Sequence, residues 1–295
     1  AIANLTGFPE LISHVESPIR TRWFAELIDI RTPERANELV DSAIESLGSA
    51  RPKLVLSEAE GGAPWGLAPH ALFTASKDLF RRCEEIAQEE HIPLTTHLAE
   101  SREEMEMFRD ASGPLYDFMK NIGRPMDDCG NETPLALFLG AAGGRALSHW
   151  IVAHLNELTE TDFTLLEQSN SKFHIVHCPR SHNYFGHCPF AFDRLRSLGF
   201  NICLGTDSLA SNKSLSLFAE MRAFQKEFPS VSAAEILKLV TVNPARALRQ
   251  ENELGKICPG TRADLLSVPS NSSDLLEEII ASIDEPWMMI AGQVQ

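Results

Sequence analysis

Three stretches of the sequence end an apolar run in a side chain able to do acid–base or metal chemistry. In Thr95-Thr96-His97-Leu98-Ala99-Glu100 the run ends at His97, and Glu100 follows three residues on. A neutral imidazole can ligate a divalent metal, and a carboxylate close behind it can move protons beside an activated water without being a ligand. An exposed His and Glu with no chemical role would look the same, so this pair alone decides nothing. In Gly205-Thr206-Asp207-Ser208-Leu209-Ala210-Ser211-Asn212 an apolar run enters a carboxylate followed by hydroxyl and amide residues. Asp207 could hold a metal and take a proton from water, with the Ser and Asn side chains bracing the loop through local turns; the plainer alternative is a helix cap. His70, after Gly66-Leu67-Ala68-Pro69, and His154, after Val152-Ala153, are imidazoles suited to orient a substrate or a hydrolytic water, or else to serve as structural histidines. A denser tract holds His174, His177, Cys178, His182, His187 and Cys188, but its spacings match no tetrahedral zinc pattern.

The elements that must position these residues follow from the rhythm of the chain. Short apolar or β-branched runs alternate with helix-like segments, the pattern of parallel strands covered by helices. Strands are expected over residues 21–28, 53–56, 94–97, 151–154, 173–177 and 201–205, and helices over 33–47, 76–90, 160–168 and 215–228. A doubly wound sheet and a barrel both give this alternation. His97, His154, His177 and Asp207 all stand at or just past the C-terminal ends of strands, where a barrel brings many loops to one face, so the barrel is favoured. Beyond residue 250 the texture changes to short strand-like pieces punctuated by turn residues. The fold class expected is α/β: a (β/α)8 TIM-type barrel over 1–250, with 251–295 the remnant of a small β-sandwich domain.

Composition narrows the partners. Of 295 residues, 26 are Lys or Arg and 41 are Asp or Glu, a formal charge of −15, which argues against a nucleic-acid or anionic-membrane surface. No apolar run approaches the ~18 residues of a membrane span, and the opening residues lack the order of a secretory signal. Six scattered cysteines with no CxxC pair are expected to be free thiols, and the chain reads as cytoplasmic.

Taken in order, these segments resemble the amidohydrolase superfamily, in the branch of the methylthioadenosine and S-adenosylhomocysteine deaminases, aminofutalosine deaminase, guanine deaminase and the triazine hydrolases. The likeness is carried by Ala68-Pro69-His70, Thr96-His97-Leu98-Ala99-Glu100, Ala153-His154, Val176-His177-Cys178-Pro179, the tract from Gly205 to Asn212 with Glu220-Met221-Arg222, and Thr241-Val242-Asn243-Pro244-Ala245-Arg246-Ala247-Leu248. The ending Gly255-Lys256-Ile257, Pro259-Gly260 and Ala263-Asp264-Leu265 matches as well. The resemblance implies a hydrolytic deaminase of an adenine-type nucleoside or related amino-substituted heterocycle, dependent on one divalent metal, zinc or else iron. It implies His97 and Asp207 as metal ligands and Glu100 as a substrate-contacting proton shuttle. His154 would position the attacking water or the oxyanion, Asp207 would take the water's proton, and His70 would contact the substrate. His182 stands where the family commonly places Asn. A small heterocycle is the implied partner, and relatives that pair imply a homodimer. A triazine chlorohydrolase or aminohydrolase, or an amide-ring hydrolase, would use the same residues; outside enzymes, the alternative is a binding protein that keeps the fold without its metal.

One motif of the superfamily is missing. The ten histidines include no two separated by a single residue, so the His-x-His pair that supplies two further ligands from the first barrel strand is absent. The expectation is a barrel incomplete at its N-terminus and a metal shell short of the three or four ligands that zinc takes, so that this chain binds metal weakly or lacks it and by itself turns over little or nothing. Residues 265–268 and 287–290 are expected to lack their usual strand partners.

Overall fold

The computed structural model describes residues 2–6, 21–49, 65–142, 146–169, 172–270, 273–283 and 286–294. The chain forms two compact units, one from residues 1–173 and 188–199, the other from 174–187 and 200–295.

In the first unit, strands alternate with helices: β1 (Ile2–Thr6), β2 (Arg22–Leu27), a 3-10 turn (Pro33–Arg35) running into α1 (Ala36–Ser49), β3 (Trp65–Pro69), α2 (Lys77–Glu89), β4 (Leu94–Leu98), α3 (Arg102–Asp110), α4 (Pro114–Asn121), α5 (Pro134–Ala142), β5 (Trp150–His154) and α6 (Glu160–Gln168). Each strand pairs in parallel with the next, β2 with β3 from Trp23 and Trp65 onward, β4 with β5 from Leu94 and Trp150 to Leu98 and His154. Phe24, Leu67, Leu94 and Val152 are fully buried, as strands covered by helices require. Gly66 permits the close approach of β3 to its surroundings, since a Cβ there would strike Pro93 O and the Phe24 ring. The helices begin where local chemistry starts them. Ser76 caps α2, its Oγ accepting from Leu79 N at 3.1 Å, and Leu79, Phe80, Cys83, Ile86 and Ala87 form the buried stripe. Thr159 and Asp162 make a reciprocal capping box for α6.

Arg124, just beyond α4, ties this region to the loop that follows β3. Its side chain is 7% exposed and forks onto both oxygens of Asp128 at 2.7 Å, while Nε and Nη2 donate to the carbonyls of Phe73 at 3.2 Å and Leu72 at 3.0 Å. A lysine has no planar fork with which to serve both carbonyls and the carboxylate. Arg124→Lys is therefore expected to lower stability by about 1–3 kcal/mol, read from the urea midpoint. A midpoint unchanged within error would show that the loop is held by other means.

The second unit contains β6 (His174–His177) and α7 (Pro179–Phe185). After α8 (Phe192–Ser197), which belongs to the first unit, it resumes with β7 (Asn201–Leu204), α9 (Leu217–Glu227), α10 (Ala233–Val240), α11 (Val242–Ala247), β8 (Leu265–Ser267), α12 (Leu275–Ala281), β9 (Trp287–Ile290) and β10 (Gln293–Val294). β6 and β7 are parallel, with His177 opposite Leu204; β8, β9 and β10 form an antiparallel sheet. Pro179 opens α7, where its missing N–H has no helical partner to lose, and Gly186 closes it at φ 68°. Asn243 stitches α11 to β7: its amide donates to Ile202 O at 2.7 Å, and its carbonyl accepts from Asn201 Nδ2 at 2.9 Å.

Five expected strands are present with ends shifted by a residue or so, whereas the one over 53–56 lies outside the described residues. Two strands go beyond the expectation. β1 precedes the first expected strand and pairs with it. β3, Trp-Gly-Leu-Ala-Pro, has no β-branched residue, and its pairing with β2 and β4 overrides weak propensity. Residues 265–267 and 287–289, from the stretches expected to lack their usual strand partners, pair with each other, Leu265 opposite Met289 and Ser267 opposite Trp287. All six cysteines are free, and no helix among the described residues is long and apolar enough to cross a membrane.

Candidate active site

In the first unit the ends of β3, β4 and β5 bring together His70, His97, His154 and Glu100. The His97 ring lies 4.8 Å from that of His70 and 5.4 Å from that of His154. His97 Nδ1 is 2.9 Å from the main-chain oxygen of His70. A carbonyl can only accept, so Nδ1 carries a proton, and in the neutral ring this leaves the lone pair on Nε2, the tautomer of a metal-ligating imidazole. His70 Nδ1 lies 2.7 Å from Thr74 Oγ1. Burial, and after it the neighbouring His97, holds the His70 pKa below its ordinary value, so this imidazole is neutral. Glu100 Oε1 and His154 Nε2 stand 3.6 Å apart, with His154 buried and Glu100 about a quarter exposed.

The backbone at these strand ends is unusual. Ala99, His154 and Leu155 adopt φ of 49°, 74° and 56°, a region that side chains with a Cβ rarely occupy. Conformations of this kind persist only where the surroundings impose them, and they concentrate at functional sites.

The second unit holds the other expected carboxylate. Asp207, itself at φ 56°, is gripped on both oxygens: Oδ1 accepts from Ser208 N at 2.7 Å, and Oδ2 accepts from Ser181 Oγ at 2.6 Å and Ser211 Oγ at 2.7 Å. Asp207 caps no helix, since the next one begins at Leu217 on a Ser216 cap. Gly205 delivers the chain to this point; its N–H donates to His177 O at 2.9 Å, and a Cβ there would strike Val176. Behind the loop, fully buried Glu220 accepts from Arg180 N at 3.0 Å and Asn212 Nδ2 at 2.6 Å, and Asn212 also donates to Thr206 O at 2.7 Å. Burial raises the Glu220 pKa above the usual carboxylate value against these donors. His177 is fully buried, with its ring 5.1 Å from that of His182. Burial first, then His187, brings His182 down to about 4, so it is neutral at physiological pH.

The sequence pointed to His70, His97, Glu100, His154 and Asp207 and did not point to Thr74 or Glu104, whose partners lie four or five residues away, or to Ser181, whose partner Asp207 is 26 positions away. Ser101-Arg102-Glu103-Glu104 does carry a capping-box spacing, the one local signal that marks Glu104. Among the described residues, no group of three or more His, Cys, Asp or Glu side chains is arranged to hold a metal ion.

Helix-covered parallel strands with imidazoles and carboxylates beyond their carboxyl ends put those groups where α/β folds place their ligand and catalytic sites. The chain belongs to the amidohydrolase family, whose profile matches residues 24–289. It is 33% identical over 216 residues to the 5-methylthioadenosine/S-adenosylhomocysteine deaminase of Teredinibacter turnerae, which covers 70% of this chain and 43% of that protein. The chain spans about half the length of the curated relatives it matches. Among solved structures it is similar to a zinc-bound adenosine deaminase from Xanthomonas campestris, with 25% identity and a TM-score of 0.68 over 94% of this chain and 60% of that one. It also shares the fold of Helicobacter pylori aminofutalosine deaminase, with 21% identity and a TM-score of 0.81 over 100% of this chain and 72% of that one.

Proposed function

We propose that the protein is a metal-dependent hydrolytic deaminase of an adenine-type nucleoside, built on a (β/α)8-type barrel and releasing ammonia. The observation that carries this reading is the grouping of His70, His97, His154 and Glu100 at the ends of three neighbouring strands, in a chain whose relatives at about 30% identity are methylthioadenosine/S-adenosylhomocysteine deaminases.

The donors suit a divalent metal in kind. His97 offers Nε2 with its tautomer fixed by the His70 carbonyl, and Asp207 offers a carboxylate oriented by two serines. Among the described residues they number two, where catalytic zinc takes at least three protein ligands. When bound, such an ion lowers the pKa of a water molecule toward about 7. The chain's own side chains would do the rest. Neutral His70 hydrogen-bonds the heterocycle, His154 orients the attacking oxygen, and Asp207 accepts its proton. Glu100, protonated at the outset, would give its proton to the ring nitrogen, take the remaining hydroxyl proton of the adduct and pass it to the departing amine, and be reset by the proton that Asp207 took.

With only two ligands, the purified chain is expected to hold substoichiometric zinc after dialysis, as measured by elemental analysis. With zinc supplied, ammonia release and loss of the adenine ultraviolet band are expected with 5-methylthioadenosine, S-adenosylhomocysteine or adenosine. Stoichiometric zinc would refute the short ligand shell. Hydrolysis of an amino- or chlorotriazine, with none of the nucleosides consumed, would move the function to a triazine hydrolase; nucleoside binding without turnover would make it a binding protein.

A further inference from the structure

Glu104 is 1% exposed and takes no part in the chemistry above. It lies in the first turn of α3, where Ser101 Oγ accepts from its amide at 3.3 Å. In a capping box the acid three residues after the cap returns to the cap residue's own N–H. Glu104 instead reaches past it, accepting from Ala99 N at 3.1 Å and Glu100 N at 2.8 Å. The other side of the same turn is held from the loop after β5: Ala99 O accepts from the amides of Asn156 and Glu157, both at 2.9 Å, and Glu100 O accepts from Asn156 Nδ2 at 3.0 Å. Every main-chain polar atom of Ala99 and Glu100 is therefore taken. Ala99 sits at φ 49°, a conformation that needs such restraint.

We propose that Glu104, with Asn156 opposite, is a positioning residue that fixes the Ala99–Glu100 turn and so aims the Glu100 carboxylate at His154. The link to turnover rests on the proton-shuttle reading of Glu100; the hold on the turn does not.

The test is amide hydrogen exchange by NMR on the full chain, combined with a mutant cycle under zinc-supplied assay. In Glu104→Ala, the Ala99 and Glu100 amides are expected to exchange at least ~10-fold faster relative to the Val152 amide, which reports global opening. Glu104→Gln keeps one accepting oxygen and should give a smaller increase. kcat should fall about 10–100-fold with KM nearly unchanged, and in a Glu100→Gln background Glu104→Ala should remove nothing further. Unchanged protection of both amides, or a full additional loss of kcat in the Glu100→Gln background, would overturn the proposal. Exchange settles the hold on the turn even where turnover is too low to measure. A Glu100→Gln chain with undiminished activity would instead refute the shuttle role while leaving the exchange result to decide the hold.

Discussion

Asp207→Asn in the zinc-supplied protein is expected to lose about 10²–10⁴-fold in kcat for nucleoside deamination, nearly as much as Asp207→Ala. Asparagine keeps the size of the side chain and one oxygen able to accept from Ser208 N or from the serine hydroxyls, so the loop should hold its shape. It cannot accept a proton, and it is a poor ligand for a divalent metal. Hydrogen bonds from Ser208 N, Ser181 Oγ and Ser211 Oγ fix the carboxyl group of Asp207 in place. Ser181→Ala should accordingly cost far less, about 10-fold, because the group remains and only its orientation loosens. Melting temperatures of the three variants would separate chemistry from folding. An asparagine variant with wild-type kcat would show that neither charge nor basicity is needed at position 207, and the deaminase reading would lose its proton acceptor.

The candidate residues that could be read from sequence are those whose place at a strand end is announced by their immediate neighbours. His97, His154 and Asp207 each end or follow an apolar run, and the strands end where those runs do. The helix over 160–168 matches the expectation at both ends because Thr159 and Asp162 set its start through contacts three residues apart. Ser76 likewise marks the start of α2. What could not be read depends on partners far away in the chain. Ser181 meets Asp207 across 26 positions, and Arg124 meets Leu72 across 52. Nothing in the local spelling of Ser181 or Arg124 specifies those meetings. β3 was hidden for a related reason: a strand of Trp, Gly, Leu, Ala and Pro is stable only because its neighbours pair with it. α12 lies between the strand-like pieces expected at 263–268 and 287–292, where no element was expected; Asp274 accepts from Glu277 N and starts the helix there.

Buried ionisable groups make stability depend on pH in opposite directions, and the expected profile is a broad plateau between about pH 4.5 and 6.5 that falls away on either side. Burial pushes Glu104 up to about 8 from an ordinary 4.5; its two amide bonds oppose the rise, and nearby Glu100 adds to it. Between those values the folded chain keeps a proton that the unfolded chain releases, so the free energy of unfolding falls as pH rises. The whole window corresponds to about 5 kcal/mol, of which roughly 2 kcal/mol lies above pH 6.5. On the acid side the sign reverses. His182, held down to about 4 by burial and His187, stays neutral in the fold where the unfolded chain takes up a proton below 6.5. Glu84 works in the same direction. Burial favours its neutral form, but hydrogen bonds from His149 Nε2 at 2.9 Å, Trp150 Nε1 at 2.6 Å and Gln88 Nε2 at 2.9 Å outweigh it and hold the pKa below the usual value. Its stabilisation is present above 4.5 and is lost as pH falls through the folded value. Urea midpoints measured from pH 4 to 8.5 should therefore rise and then fall in the wild-type chain. In Glu104→Gln the fall above pH 6.5 should disappear while the acid limb remains, and in Glu84→Gln the acid limb should shrink. An alkaline fall that survives Glu104→Gln would show that some other group releases the proton.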